Sequence, residues 1–316
     1  MDNLGDIRLF VEAASLGSLS AAGRRLGLSP AAASARLAKL EAALHVRLFD
    51  RTTRELRLTN EGSLYLPHCQ EALHALDDAH AALHAGQGAV RGRVRVSATS
   101  DFGRNVLKDW LDEFTARHPE VLLSLTLSDS LANLVHDDID LAIRFGAPAD
   151  GSMVARRLAP NRRVLCAAPS YVAQHGLPAH PDDLQRFDCI GMNASGAMPS
   201  EWRFEREGES ARYELPAATP RETNDGAIAR AWAVDGHGIA MKSMWDIGSD
   251  LAAGRLVVVM PQWRTPDAPV YALLRHTRYM PARVRALLDF LAERFSSVGD
   301  ELEALLATAG ANSAAR

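Results

Sequence analysis

Cysteine is scarce in this chain, and long apolar runs are missing from it. The 316 residues include three cysteines, Cys69, Cys166 and Cys189, whose odd number and wide spacing do not suit a disulfide framework. No apolar run approaches the roughly 18 residues of a membrane-spanning helix, and the first residues lack the basic-then-apolar order of a secretory signal. These absences predict a cytoplasmic globular protein with reduced thiols.

The signatures of common catalytic sites are also missing. The sequence has neither the Gly-x-Ser-x-Gly turn of serine hydrolases nor the Gly-x-x-x-x-Gly-Lys-Ser/Thr loop that cradles phosphates. Gly236 and Gly238 flank a histidine but lack the third glycine of a dinucleotide fingerprint. No group of histidines and cysteines has the spacing of a zinc site. We therefore expect a protein without catalytic activity, cofactor or metal.

Positive charge is distributed unevenly along the chain. The formal net charge is −4, yet the segment from Arg24 to Arg57 contains eight basic and three acidic residues. That segment carries +5, which leaves −9 on the remainder. A basic segment on an acidic body is typical of a protein that contacts phosphate groups with one part only.

The first sixty residues predict three short helices. Apolar residues recur every three or four positions from Leu4, and Gly17 ends this first helix. A serine begins the second helix, and Gly27 suits the left-handed position that follows it. Ser29 is a good N-cap for the third helix, with Pro30 at its first position. We expect the third helix to end at about residue 44.

Two helices joined by a short glycine-containing turn match the DNA-binding helix-turn-helix. Small residues at the start of its second helix would let that helix approach base edges, although they also suit a plain alanine-rich surface hairpin. Two short extended runs around a basic turn follow, which predicts a wing for phosphates or a narrow minor groove. The residues expected to contact DNA are Ser18, Ser20, Arg24, Ser29, Pro30, Ala31, Ala32, Ser34, Arg36, Arg51, Thr52, Thr53 and Arg54.

In this region the chain resembles the LysR-type transcriptional regulators. The matching residues, at the spacing of that family, are Phe10, Ala14, Gly17, Ser18, Ala21, Ala22, Leu26, Ser29, Ser34, Leu40, Glu41, Leu44, Leu48, Phe49, Arg51, Arg54, Leu58, Thr59 and Gly62. Weaker similarity extends over most of the remaining chain. Pro30 and Ala35 stand where the family usually has a polar and a basic residue. Specificity would therefore depend more on Arg36, on the wing and on DNA shape.

A long connecting helix is expected from its N-cap, Thr59, to about Ala85, with a kink at Pro67. Its heptad seam is formed by Leu66, Cys69, Leu73, Leu76, His80 and Leu83. The seam suits a partner helix or, alternatively, packing against its own domain. In the family this helix dimerises. The resemblance therefore implies a homodimer or homotetramer that binds a double-stranded DNA operator. It is also compatible with contact with RNA polymerase.

From Arg93 onward, strand and helix patterns alternate, which predicts a largely parallel sheet covered by helices. The expected strands are 93–99, 122–127, 139–146, 164–169, 238–243, 255–260 and 270–275. The expected helices are 103–118, 131–136, 171–175 and 281–295. The resemblance implies that these elements form two Rossmann-like lobes, similar to periplasmic binding proteins.

The expected fold class is α plus α/β, in four parts along the chain. A winged helix-turn-helix domain occupies 1–59, and the linker helix with its hinge occupies 60–90. A two-lobed effector-binding domain follows at 91–300, and a loosely ordered tail at 301–316. Lobe I comprises about 91–161 and 269–300, and lobe II about 162–268.

Ligands of open α/β sheets bind beyond the carboxyl ends of the strands, at helix N-termini. Residues at such ends, each of which can also be an ordinary helix cap, are expected to converge on a cleft between the lobes. They are Ser97, Thr99, Ser100, Asp101, Ser128, Arg144, Phe145, Thr223, Asn224 and Asp225. Arg144 can pair with an anion, whereas Asp101 would repel an acidic ligand unless it caps its helix or faces away.

The resemblance implies a small organic or aromatic acid as the ligand of this cleft. Two other functions remain open at this point. One is a solute-binding protein, and the other is a regulator that senses oxidation through a cysteine instead of a ligand.

Overall fold

The computed structural model describes residues 4–51, 56–84, 90–130, 139–146, 153–193, 201–216, 219–275 and 280–314. The chain divides into two compact units, Met1–Ala89 and Val90–Arg316. None of the helices in these described ranges is long and apolar enough to cross a membrane.

The first unit is a winged helix-turn-helix followed by a long helix. Its elements are α1 (Leu4–Leu16), α2 (Leu19–Arg25), α3 (Pro30–Leu44), β1 (Phe49–Arg51), β2 (Leu56–Leu58) and α4 (Asn60–His84). Gly17 and Gly27 both have positive φ, as their positions after helices require. The core of the unit is formed by Leu9, Phe10, Ala13, Ala22, Ala33, Leu37, Leu40, Leu48, Phe49 and Cys69.

Helix α4 begins as the sequence predicts, because the Thr59 hydroxyl accepts a hydrogen bond from the Gly62 N–H at 2.9 Å. The helix runs on through Pro67 to His84. The first part of the heptad seam, however, is not free for a partner. Cys69 is buried in the core of its own unit and Leu66 packs against that core, so for these two residues the intradomain alternative is right.

The second unit contains a five-stranded sheet in lobe I. Its strand order is β4-β3-β5-β14-β6. The strands are β3 (Gly92–Ala98), β4 (Val121–Leu127), β5 (Leu141–Phe145), β6 (Met153–Ala159) and β14 (Val270–Arg275). β3 is parallel to β4 and β5, while β14 is antiparallel to β5 and β6.

Lobe II is built differently, and here the expectation of a largely parallel sheet is wrong. Its three-stranded sheet, β12-β7-β13, is antiparallel throughout; the strands are β7 (Arg163–Ala167), β12 (Ala240–Ser243) and β13 (Val257–Val259). Lobe II also has two pairs of strands. β8 (Ile190–Met192) and β11 (Arg221–Thr223) are parallel, whereas β9 (Glu201–Arg206) and β10 (Glu209–Glu214) are antiparallel. Apolar patterning identifies a strand but not its partner, and β7 pairs with strands more than seventy residues further along the chain.

The helices of the second unit are α5 (Ser100–Phe102), a π-helical turn (Gly103–Leu107), α6 (Lys108–Arg117), α7 (Pro169–His175), a 3-10 turn (Pro181–Arg186), α8 (Gly226–Val234), α9 (Met244–Ala252) and α10 (Ala282–Ala314). The first of these begins at Ser100 rather than at residue 103, and it passes through the π turn into α6 without a break. The helix expected at 131–136 lies outside the described residues.

Helix α10 corrects the expectation of a loosely ordered tail. It continues past residue 300 to Ala314, and Val298 and Leu302 pack against the main core of the second unit. A methyl group placed on Gly248 of α9 would come within 2.3 Å of Leu302 Cδ2, so the two helices meet closely there. The tail is helical because its apolar residues pack against α9 and the core of the second unit.

Candidate functional site

In the first unit, α2 and α3 approach each other through small residues. A Cβ atom on Gly23 would lie 2.9 Å from Ala33 Cβ, closer than real side chains pack. Gly23, Ala22 and Ala33 are all buried. The alanine and glycine content of this pair therefore serves close helix packing, as in a helix-turn-helix, rather than a loose surface hairpin.

The N-terminal end of α3 is exposed and well capped. The Ser29 hydroxyl accepts from the Ala32 N–H at 3.2 Å, with Pro30 at the first helical position. Ser29, Pro30 and Ala31 are exposed, and Ala32 and Ser34 are half-buried. This end of α3 thus presents a smooth surface of small side chains. At the start of α2 the cap is Ser18 rather than Ser20, and its hydroxyl accepts from the Ala21 N–H at 3.3 Å.

The predicted basic contacts divide into three groups. Arg24 is exposed on α2. Arg36 is half-buried, with its Nε 3.8 Å from the buried carboxylate of Asp6, so α1 partly holds it in place. In the wing, Arg51 opposes Leu56 in the β1–β2 pair, whereas Thr52, Thr53 and Arg54 at its tip lie outside the described residues.

The second unit brings Ser97, Thr99 and Arg144 to one edge of the lobe I sheet. Arg144 is 4% exposed; its Nη2 donates to Ser97 Oγ at 2.7 Å and its Nη1 to the Ile143 carbonyl at 2.8 Å. Burial lowers the pKa of this guanidinium to about 10. Within the described ranges, Arg144 Nε and Thr99 Oγ1 are buried without a hydrogen-bond partner. A buried cation with an unused donor suits an anion nearby.

Ser100 lies at the centre of the contact between the lobes. Its N–H donates to Asp129 Oδ1 at 2.8 Å, and its hydroxyl lies 2.5 Å from Asp129 Oδ2 and 2.9 Å from Asp225 Oδ1. Asp225 belongs to lobe II, where it caps α8 through the Ala227 N–H. Its carboxylate also pairs with Arg104, and these hydrogen bonds keep the pKa of Asp225 below its usual value. Residues from both lobes therefore meet, as the sequence predicts.

Asp101 does not face the predicted ligand. It is 2% exposed and pairs with Lys242 Nζ at 2.6 Å, with the Arg230 guanidinium 3.9 Å away. Lys242 also pairs with Asp246 at 3.1 Å, and Asn105 Nδ2 donates to Asp101 at 2.7 Å. The assignment of Asp101 to the ligand site is corrected accordingly, because its carboxylate forms ion pairs with Lys242 and Arg230 in a buried cluster between the lobes.

Burial and the neighbouring Asp246 raise the pKa of Asp101 from 3.8 to about 6, although Lys242 and Arg230 act against the shift. Below about pH 6 the folded chain therefore binds a proton that the unfolded chain binds only near pH 4. This group makes the free energy of unfolding rise as the pH falls through that window, and fall as the pH rises. We expect Asp101→Asn to remove this contribution, so that between pH 7 and 4 the free energy of urea unfolding falls more, or rises less, than in wild type.

Asp109→Asn removes an exposed carboxylate on α6 and is the matched control for this measurement. An Asp101→Asn variant with the wild-type profile would show that Asp101 does not titrate in this window.

The remaining predicted ligand residues are more peripheral. Ser128 exchanges weak local hydrogen bonds with Ser130, and the half-buried Phe145 packs edge-on against Phe102. The Thr223 hydroxyl accepts from the Asp225 N–H at 3.0 Å, while Asn224 is exposed.

Comparison with known proteins identifies both units. A sequence profile described as "Bacterial regulatory helix-turn-helix protein, lysR family" matches residues 4–63, and one described as "LysR substrate binding domain" matches residues 87–296. The chain belongs to the LysR-type family of transcriptional regulators. In this LysR-type chain, the helix-turn-helix and the two lobes are thus the DNA-binding and effector-binding domains of the family.

Individual relatives agree with this assignment. The chain is 34% identical to the HTH-type transcriptional regulator DmlR of Escherichia coli (strain K12), over 93% of this chain and 94% of that protein. It is 36% identical to the HTH-type transcriptional regulator PtxR of Pseudomonas aeruginosa, over 92% of each. The solved structure of CrgA, a LysR-type transcriptional regulator from Neisseria meningitidis, aligns with a TM-score of 0.59 and 28% identity over 93% of this chain and 99% of that one.

The cysteines of this LysR-type chain are poorly placed to sense oxidation. Cys69, Cys166 and Cys189 are all buried. Burial raises the pKa of Cys166 and of Cys189 to about 12, so both stay protonated thiols at neutral pH. Because the thiolate is the reactive form, this disfavours the alternative of a cysteine-based redox sensor.

Three residues at these sites are not among those that the sequence predicts. Asp129 follows a predicted strand, but its contact with lobe II depends on the tertiary fold. Gly23 lies in an alanine-rich segment where nothing in the sequence distinguishes it. Lys242 could have been recognised, because a lysine inside the apolar strand 240–243 indicates a buried partner.

Lobe II has two neighbouring cavities whose described lining residues do not include the predicted ligand residues. One, of about 200 Å³, is lined by Arg163, Trp263 and Arg264 among others; its neighbour, of about 740 Å³, includes Arg206 and Asp267 in its lining. Neither is lined by Ser100 or Arg144. The Ser100 hydroxyl lies between the carboxylates of Asp129 and Asp225.

Proposed function

We propose that this protein is a non-catalytic, cytoplasmic transcription factor that binds double-stranded DNA as a homodimer or homotetramer. The N-terminal end of α3 enters the major groove, and the arginines of the wing contact phosphates. The observation that carries this proposal is the exposed, small-residue end of α3, next to a wing in a segment of net charge +5. Contact with RNA polymerase is a further part of the proposal.

The effector is proposed to be a small organic or aromatic acid. Its anionic group suits the edge of the cleft where Ser97, Thr99, Ser100 and Arg144 supply donors. To control DNA binding, the acid must bind one arrangement of the lobes more tightly than another. The half-buried Phe145 ring suits its less polar part.

The test is DNA binding by the full chain, measured by gel shift on the DNA upstream of its own gene at several salt concentrations. Arg51→Ala and Arg54→Ala should each weaken the complex. Each should also reduce the slope of log affinity against log salt by about 1, because each lost phosphate contact releases about one counterion fewer. Arg156→Ala, at an exposed arginine of the second unit, is the matched control. Unchanged binding by both wing variants would remove the wing from the interface.

A further inference from the structure

Asp129 occupies a position in the cleft that is built for an anion. Its Oδ1 accepts from the Ser100 N–H at 2.8 Å, and its Oδ2 accepts from the Gly226 N–H at 2.8 Å and lies 2.5 Å from Ser100 Oγ. Ser100 begins the helical run α5–α6 of lobe I, and Gly226 begins α8 of lobe II. One carboxylate thus binds the N-termini of two helices from two lobes, where partial positive charge concentrates.

The surroundings of this carboxylate are those of a ligand site rather than of an ordinary helix cap. Arg144, more than nine-tenths buried, interacts electrostatically with Asp129 and keeps its Nε without a partner in the described part of the chain. Thr99, directly before Ser100, likewise has a buried hydroxyl without a partner among the described residues. An internal cap alone gives no reason for these unused donors.

The hydroxyl of Ser100 is shared between two acceptors. It carries one hydrogen, yet oxygens of both Asp129 and Asp225 lie within hydrogen-bonding distance. Asp225 has other donors in Arg104 and the Ala227 N–H. Asp129 can therefore leave the group while the Ser100 hydroxyl and Asp225 keep a partner in each other. The N–H groups of Ser100 and Gly226 are then free to bind another carboxylate in its place.

We propose that Asp129 is a tethered internal ligand, which fills the anion position of the cleft and clasps the two lobes until the carboxylate of an effector displaces it. The proposal rests on the proposed function, in that it assigns a resting state to the same cleft. A tethered competitor lowers the apparent affinity for an external ligand by the fraction of time for which the site is free. If Asp129 occupies the site for about 90% of the time, its removal tightens carboxylate binding about tenfold.

Acetate is the probe, because it is the smallest carboxylate with the shape of the aspartate head group. Thermal unfolding of the full chain is followed by tryptophan fluorescence in sodium acetate and in sodium chloride at equal ionic strength. All five tryptophans lie between residues 110 and 263, so the signal reports on the effector domain. In chloride, Asp129→Ala should melt below wild type. Acetate should raise its melting temperature saturably, with a half-saturating concentration at least about tenfold below that of wild type.

Three variants sharpen the test. Asp109→Ala removes an exposed carboxylate of the same lobe and should respond to acetate as wild type does. Ser100→Ala combined with Asp129→Ala should lose most of the acetate effect, because the vacated position then lacks its hydroxyl donor. Asp129→Asn keeps the size of the side chain if the alanine variant does not fold. In either orientation its NH2 group faces one of the two N–H groups, of Ser100 or of Gly226, and cannot accept from it, so this variant should also respond to acetate more strongly than wild type.

Acetate responses of Asp129→Ala and Asp129→Asn that equal those of wild type and Asp109→Ala would overturn the proposal. Failure of the proposed function would give a different result from failure of this proposal. The wild-type chain would then form no discrete complex with its upstream DNA, while the acetate titration, which needs no DNA, would still decide the role of Asp129.

Discussion

Glu41→Ala should make the DNA-binding unit unfold at a lower urea concentration than the effector domain. The Glu41 side chain is 6% exposed, and its Oε1 accepts from the N–H groups of Leu48 and Phe49 at 2.9 and 3.3 Å. These bonds hold the start of the wing to the C-terminal half of α3. Alanine leaves two buried N–H groups without an acceptor, at a cost of about 2–4 kcal/mol in the free energy of unfolding.

The measurement compares two signals during urea unfolding of the full chain. Since every tryptophan lies in the second unit, far-ultraviolet circular dichroism should show an early loss of helix that tryptophan fluorescence does not. Glu41→Gln keeps the accepting oxygen and should lose less than about 1 kcal/mol, mainly through the weak pair with the exposed Arg47. If Glu41→Ala unfolds in one transition at the wild-type midpoint, the wing is not anchored through this residue.

Local features of the DNA-binding unit could be predicted from the sequence because neighbouring residues determine them. Ser29, Pro30 and Gly27 act within a few positions of themselves, through a cap, a fixed φ and a left-handed turn. The same holds for Thr59 at the start of α4. The role of Glu41 was not predictable in this way, since its partners follow seven and eight residues later, across a turn that begins at the left-handed His45.

In the effector domain, strand positions followed from apolar patterning, but the pairing and the polar contacts between the lobes did not. β14 appears in the structure at the predicted residues, 270–275, whereas the antiparallel neighbours of β7 depend on where distant segments return. Asp101 and Asp129 show the same limit. Both stand at the carboxyl ends of strands, as a ligand residue should, yet one enters a buried ion cluster and the other binds the N-terminus of α8.

In helix α10, too, the local sequence does not predict the observed structure. Its last turns are rich in alanine and carry no motif, which favours a loose tail. The helical order of the tail is explained by the fit of Leu302 against Gly248 of α9. The tail is thus ordered by a segment of lobe II that lies some fifty residues earlier in the chain.

Lys242→Met should give the largest loss of stability in the effector domain. Lys242 is 4% exposed. Its ammonium group forms ion pairs with Asp101 at 2.6 Å and Asp246 at 3.1 Å, and it donates a hydrogen bond to the Gly226 carbonyl at 2.8 Å. Methionine fits the space but leaves two buried carboxylates without their main cation. Removing one partner of a buried ion pair costs about 3–5 kcal/mol, and the midpoint of unfolding by tryptophan fluorescence should fall accordingly.

The chain contains a matched control with the same local chemistry at the surface. Lys108 pairs with Asp109 at 2.7 Å and with Asp112 at 2.9 Å, but it is 56% exposed. Because water solvates its partners when it is removed, Lys108→Met should leave the midpoint of unfolding close to that of wild type. Adding Asp101→Asn and Asp246→Asn to Lys242→Met should recover much of the lost stability, since the neutral amides no longer need a cation. Equal effects of the two lysine substitutions would mean that water reaches the cluster between the lobes, and that the buried cation is not what holds it together.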